Sequence, residues 1–281
     1  MAQVAIGLVN GAFYAMLSLG LSVIFGMLNV INFAHGAQYM MGAFAAWLML
    51  IYLDVPFWAS LVLAPVIVGL FGVVLERVLL KRLYHLDHLY GFLLTFGLSL
   101  VIEGLFRWQW GSSGAPYPAP ITGATDLGFM MMPTYRLFIV VAALVVCLAT
   151  WYAIERTRLG AYLRAATENP TLVRAFGINV PRLITITYGV GVGLAALAGV
   201  LAAPIQQVSA LMGTNLVLVV FAVVVIGGMG SILGSVVTGF GLGLIEGLTK
   251  LYYPPASNTV IFVVMAIVLL VKPAGLFGQS K

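Results

Sequence analysis

Apolar residues run along the chain in blocks at 4–28, 37–53, 57–80, 89–106, 137–154, 183–203, 216–233, 236–251 and 259–271. About 20 apolar residues in a helix cross the hydrocarbon core of a bilayer. In lipid a helix satisfies its own backbone polar groups, so spanning segments of this kind are helical. The pattern predicts an all-α fold: a polytopic membrane helix bundle of about eight to ten transmembrane helices, some short or broken, with no sheet. Blocks 37–53 and 236–251 are the short ones, and each reads as either a tilted span or a re-entrant half-helix.

The connections between blocks set the orientation. Arg77, Lys81 and Arg82 form one basic cluster, and Arg156, Arg158, Arg164, Arg174 and Arg182 form a larger one. Positive charge marks cytoplasmic loops, and two blocks separate the clusters, so both fall on one side. The connection 107–136, with Pro116, Pro118, Pro120 and Pro133, is then external, and 272–281 is cytoplasmic. The N-terminus is external if block 37–53 spans fully and cytoplasmic if it only dips in. No basic region precedes the apolar stretch from Val4, so the first span reads as retained. The longest polar stretches are too short for a soluble domain. The expected organisation is one transmembrane domain over 1–281, with 155–182 as a cytoplasmic loop.

Composition sharpens this reading. Hydrophobic residues make up 62% of the chain and charged residues 7%, against roughly 25% charged in soluble domains. So few charges cannot cover a water-exposed surface. The net charge of +5 sits between apolar blocks as a topology signal and does not indicate nucleic acid. The single cysteine, Cys147, lies in an apolar run and reads as a lipid-facing or packing residue.

Three motifs interrupt the apolar background. In the first, Gly7, Gly11 and Ala15 recur every four residues, a small-residue stripe on which a helix can pack. Asn10 and Tyr14 share that face. Asn29, Asn32, His35 and Gln38 follow where an apolar run breaks, and Gly36 lets the chain turn. Broken helices are how transporters expose polar groups to a solute. Asn10, Tyr14, Asn32, His35 and Gln38 are therefore the candidate pathway residues. The competing reading is an ordinary loop whose polar groups bond only between helices.

The second motif runs from Leu159 to Pro181. A helical piece holding Tyr162 to Glu168 is broken by Asn169-Pro170, since the residue before proline disfavours the helical region. Proline suits the first helical position, so Asn169 caps a second piece ended by Gly177. The small residues Ala165, Ala166 and Ala175 would allow close docking in a partner's groove. A basic loop that only fixes topology is the rival reading. The third motif carries Gly227, Gly228, Gly230 and Gly234, followed by Gly239, Gly243 and Gly247. It reads as close helix packing, a hinge, or both. No Lys-Ser/Thr follows at phosphate-loop spacing.

Glu103 precedes Arg107, and Glu246 precedes Lys250, each by four residues near an expected external helix end. Both read as interfacial pairs. No midplane acid then remains to carry a coupling proton, which argues against a free-standing ion-driven carrier. Paired acids, a metal-ligand cluster and a nucleophile–base spacing are all missing from the spans, so no catalytic or metal-binding residues are expected.

Together the motifs resemble the permease family of high-affinity branched-chain amino acid ABC importers, in particular the shorter of its two paired subunits. The resemblance covers nearly the whole chain. It rests on Asn10-Gly11 with Tyr14, on Asn32-Phe33-Ala34-His35-Gly36, on Arg164-Ala165-Ala166 with Gly177-Ile178-Asn179, and on Gly227-Gly228-Met229-Gly230-Ser231. It implies a second, homologous permease subunit, two cytoplasmic ATPase subunits, a periplasmic solute-binding protein and residence in a bacterial inner membrane. ATP would be bound by the partner subunits, with no cofactor on this chain and no enzyme activity of its own. Arg164, Ala165, Ala166, Glu168, Asn169, Pro170, Gly177 and Asn179 would form the ATPase-coupling element. The family often carries an acid near position 38, where this chain has Gln38. Its members also serve urea, amides and aromatic acids, and a free-standing transporter or channel remains the alternative from a different class.

Overall fold

The structure, a computed structural model, describes residues 2–28 and 31–278. Its helices are α1 (Ala2–Leu28), α2 (His35–Leu53), α3 (Phe57–Val78), α4 (His88–Trp110), α5 (Thr134–Glu155), α6 (Arg158–Glu168), α7 (Pro170–Ala175), α8 (Val180–Gln206), α9 (Thr214–Gly227), α10 (Ile232–Tyr252) and α11 (Val260–Val271). Among the described residues, seven helices are long and apolar enough to cross a membrane: α1 to α5, α8 and α10. The apolar helices α9 and α11 are shorter, at 14 and 12 residues. The chain is a multi-pass membrane protein.

The short helices are not the expected ones. Blocks 37–53 and 236–251 belong to helices of 19 and 21 residues. Block 216–233 is instead cut at Gly228 and Gly230, whose φ values of 98° and 85° lie in the left-handed region. Glycine enters that region without a Cβ penalty, so the backbone turns there. Ser231 then starts α10, its hydroxyl accepting from Gly234 N at 3.1 Å.

The expectation of no sheet also needs correcting. Strands β1 (Ala124–Asp126) and β2 (Met131–Pro133) pair antiparallel within the connection between α4 and α5. Gly128 takes a positive φ in the turn, and its N–H donates to Asp126 Oδ1 at 2.8 Å. A hairpin this small needs only a turn and three paired positions, which an apolar-block reading does not register.

Helix α1 is the central strut. It packs on α5, α8, α9 and α10, and 16 of its 27 residues are buried, from Gly7 to Ile24. Its stripe Gly7, Gly11, Ala15 meets the stripe Gly247, Gly243, Gly239 of α10 in antiparallel order. A Cβ at Gly239 would stand 2.6 Å from Ala15 Cα, and one at Gly11 would stand 3.0 Å from Phe240 Cα. Lipid supplies no hydrophobic drive between helices, so this backbone proximity is what dispersion attraction works through. Helix α8 uses the same device, Gly191 against Gly20 and Gly189 against Gly69. The buried Cys147 packs into the core from α5.

The antiparallel pairing fixes the two ends of the bundle. Gly26, near the end of α1, lies at Gly230, while Gln3 lies at Gly247. Met27, Gly26, Ile154, Arg164 and Gly230 line one small cavity, so the end of α1 sits with the basic segment around α6. The start of α1 lies at the opposite end.

Substitution in the stripe tests this account. Gly243→Leu should lower the unfolding temperature of the detergent-solubilised protein, since overpacking costs about 1–3 kcal/mol. Gly241→Leu should leave it unchanged, because no atom lies within 4 Å of a Cβ added there. Equal shifts for the two variants would contradict the close approach.

Candidate functional site

The candidate pathway residues fall into two groups. After α1 the chain returns into the bundle without helix at Ile31 and Asn32, turns, and starts α2 at His35. His35 Nε2 lies 3.0 Å from the carbonyl oxygen of Leu17, midway along α1. Asn32 Nδ2 donates to Gln38 Oε1 at 3.0 Å, and Gln38 Nε2 donates to the Tyr188 hydroxyl on α8 at 3.3 Å. All three side chains are at most 1% exposed. Asn32 Oδ1 and His35 Nδ1 meet no hydrogen-bond partner. Gly36 lets the start of α2 pack on Gly213, just before α9, so two helix starts meet inside the bundle. Asn29, grouped with these residues in the sequence, lies outside the described residues.

Asn10 and Tyr14 sit elsewhere. Tyr14 OH donates to Glu246 Oε2 at 2.7 Å, and Asn10 Nδ2 donates to Glu246 Oε1 at 3.4 Å. Lys250 Nζ pairs with the same Oε1. The i,i+4 pair expected from sequence is present, but its carboxylate is buried and also satisfies two polar groups of α1. A buried carboxylate with several donors is tolerated where a lone one is not. This group ties α1 to α10 and stands apart from Asn32, His35 and Gln38.

The element at the basic end of the bundle, α6–α7, has a helix–break–helix form. Asn169 Oδ1 accepts from Leu172 N at 3.0 Å and caps α7, with Pro170 at its first position. Asn179 Oδ1 accepts from Arg182 N at 3.1 Å and caps α8. Gly177, φ 81°, makes the turn between them. Arg164 Nη1 donates to the Ile154 carbonyl at 3.1 Å and reaches Glu155 Oε2 at 3.3 Å, holding α6 against the end of α5. Ala165, Glu168 and Ala175 are exposed. Ala166 is not free for docking, as its spacing suggested. It is buried with Val173 and Val180, against Met27 and Ile178, and gives the loop its own small core. The outward apolar groups are Leu159, Tyr162, Leu172 and Phe176, the last 77% exposed.

At the glycine-rich break, Gly227 packs on Gly234. The C-terminal segment lies across it: Leu276 N donates to Ile226 O at 2.7 Å and Phe277 N to Gly227 O at 3.1 Å. Gly228 leaves room for Gly278 at 2.8 Å or less from where its Cβ would be. Residues 279–281 lie outside the described residues.

One buried acid escaped the sequence reading. Glu76 on α3 is 1% exposed. Its carboxylate accepts from Tyr84 OH at 2.7 Å and from Thr185 Oγ1 on α8 at 2.7 Å. Burial, with the hydrogen bond to Glu76 second, pushes the Tyr84 hydroxyl up, so it stays a neutral donor. The available signal was an acid inside the apolar block 57–80, one residue before the first arginine of the basic cluster. A cavity of about 290 Å³ opens beside it, lined among others by Tyr84, His88, Ala166, Pro170, Arg174 and Val180. The two basic connections therefore meet at one end of the bundle.

With this geometry in place, similarity to known proteins places the chain. The "High-affinity branched-chain amino acid transport system permease protein LivH" of Escherichia coli K12 is 29% identical over 98% of this chain and 94% of its own length. The corresponding protein BraD of Pseudomonas aeruginosa is 26% identical over 99% and 96%. The "Ribose import permease protein RbsC" of E. coli K12 is 33% identical, but over only 44% of this chain and 42% of its own length. No solved structure gives a significant match. Residues 3–270 match the family described as branched-chain amino acid transport system / permease component. A match over that length, on a bundle built around an interrupted α1–α2 passage, makes this chain a member of the branched-chain amino acid transport system permease family.

Proposed function

We propose that the chain is the transmembrane permease subunit of an ATP-binding-cassette importer in a bacterial inner membrane. It forms one permease domain over 1–281 and pairs with a second, homologous permease. Branched-chain or related amino acids reach it from a periplasmic binding protein, and two cytoplasmic ATPases supply the energy, with ATP bound on those partners. The observation that carries this reading is the α6–α7 element at the basic end of the bundle. Its inner face is closed by Ala166, Val173 and Val180, while Leu172 and Phe176 face outward beside Arg174. An apolar pair on a short capped helix, stiffened from behind, suits insertion into a groove of a partner.

With positive charge inside, the basic end is cytoplasmic and the start of α1 is external. Motion of α6–α7 would reach the bundle through Asn179, which caps α8, and through Thr185, which holds Glu76. Asn32, His35 and Gln38 act as the gate. They are enclosed in this conformation, and the free Asn32 Oδ1 and His35 Nδ1 can take new partners when the non-helical segment shifts. An unpaired buried polar group costs about 1–3 kcal/mol, so the gate is held below its full hydrogen-bonding capacity. Asn10 and Tyr14, apart from the gate, hold α1 and α10 together through Glu246. The breaks at Gly227, Gly228, Gly230 and Gly234 provide close packing and a hinge at the cytoplasmic end.

Two measurements follow. In the reconstituted complex, Phe176→Asp should cut solute-stimulated ATP hydrolysis by about tenfold or more, the scale of losing an interface anchor, while the isolated subunit keeps its fold. Unchanged stimulation would remove the docking role. Asn32→Ala and His35→Ala should each assemble with partners and slow leucine uptake by about tenfold, the effect of roughly one charged or buried hydrogen bond. Wild-type uptake by both assembled variants would leave these residues a structural role only.

A further inference from the structure

Helix α4 carries a polar row that the rest of this chain covers only in part. Of its 23 residues only Gly91, Thr95 and Ile102 are buried. Ser99, Glu103 and Arg107 follow one another at four-residue spacing, so they share one side of the helix. Glu103 Oε1 accepts from Arg107 Nη2 at 3.0 Å, and Glu103 Oε2 accepts from Thr214 Oγ1, the first residue of α9, at 2.5 Å. The arginine side chain is 47% exposed and the glutamate 14%. Thr214 and Asn215 are exposed as well.

Depth makes this row informative. Glu103 stands seven residues before the end of α4 at Trp110, about 10 Å along a helix rising 1.5 Å per residue. With α4 centred on a hydrocarbon core about 30 Å thick, Glu103 lies below the boundary. Charged side chains at such depth face a bundle interior or a water-filled cavity, and they mark solute paths. By contrast, Asn32, His35 and Gln38 are sealed inside the chain. The α4–α9 seam carries polar side chains that are exposed or half-buried.

We propose that the seam of Ser99, Glu103, Arg107 and Thr214 is a water-filled wall of the solute route, and that Glu103 and Arg107 contact the ammonium and carboxylate of a passing zwitterionic amino acid. The inference rests on the importer reading and adds where the solute touches this subunit. The row carries both charge signs within one ion pair, so a zwitterion meets complementary groups at each end. The pair is neutral overall, so the site exchanges partners with the solute without holding a net charge against it. The second permease would close the route from the opposite side.

The test uses the whole importer in proteoliposomes, in a Cys147→Ala background, with leucine as the probe solute. Thr214→Cys should react with a charged, membrane-impermeant methanethiosulfonate, and saturating leucine should slow that reaction by about tenfold, the scale of covering a charged hydrogen-bonding site. Val101→Cys, on the exposed face of the same helix, should not react, since lipid covers it. In parallel, Glu103→Gln, in an importer that still assembles with its partners, should lower leucine uptake by about tenfold. An active Thr214→Cys importer that never reacts overturns the proposal in favour of a dry contact with the second permease. Reaction that leucine does not slow, in an importer that carries leucine, overturns solute contact. A wild-type complex that moves no amino acid in the presence of ATP and binding protein is a separate result and overturns the importer reading itself.

Discussion

Polar groups at membrane depth have no water to bond unless they line a cavity, and much of the arrangement of this chain follows from where its buried polar side chains find partners. Leaving such a group unsatisfied costs several kcal/mol. The non-helical passage at Ile31 and Asn32 can exist only because the interior of the bundle receives it, with Asn32, Gln38 and Tyr188 bonded in series and His35 set on the Leu17 carbonyl. The carboxylates follow the same rule. Glu246 gathers Tyr14, Asn10 and Lys250, and Glu76 gathers Tyr84 and Thr185. Each acid ties two helices that are distant in sequence.

That rule needs helices close enough for short side chains to reach across. Glycine supplies the distance. The stripes of α1 and α10 interlock, and α8 approaches α1, α2 and α3 at Gly191, Gly199 and Gly189. The inner helices are therefore tightly joined, while α4 and α5 stay at the periphery. A rigid centre with a looser rim, and with breaks at Gly213 and at Gly228 to Gly230, suits a bundle that rocks about a fixed passage. The α6–α7 element sits at the basic end where such motion can be driven.

Much of this was legible in the residues. Apolar blocks gave the number and rough position of the helices, and four-residue glycine spacing gave the stripes before their partners were known. Asn169-Pro170 gave the break between α6 and α7, and Gly177 the end of α7, since capping and proline chemistry are local. What the sequence hid is long-range. Period alone does not show that Tyr14 reaches Glu246, 232 positions away, or that Ala166 turns inward onto Val180. Helix breaks at Gly228 and Gly230 were masked by continuous hydrophobicity across block 216–233. Glu76 was hidden by its basic neighbours, because one buried carboxylate beside Arg77 looks the same in sequence as an exposed ion pair.

On the proposed reading, this bundle moves solute only under the drive of ATPases docked at its basic end. The most direct measurement is uptake of radiolabelled leucine into proteoliposomes that hold this chain alone, or this chain with a second permease, two ATPases and a binding protein. Uptake should require the full set and internal or external ATP on the ATPase side, and should be indifferent to an imposed proton or sodium gradient. Gradient-driven uptake by the chain alone would contradict the account.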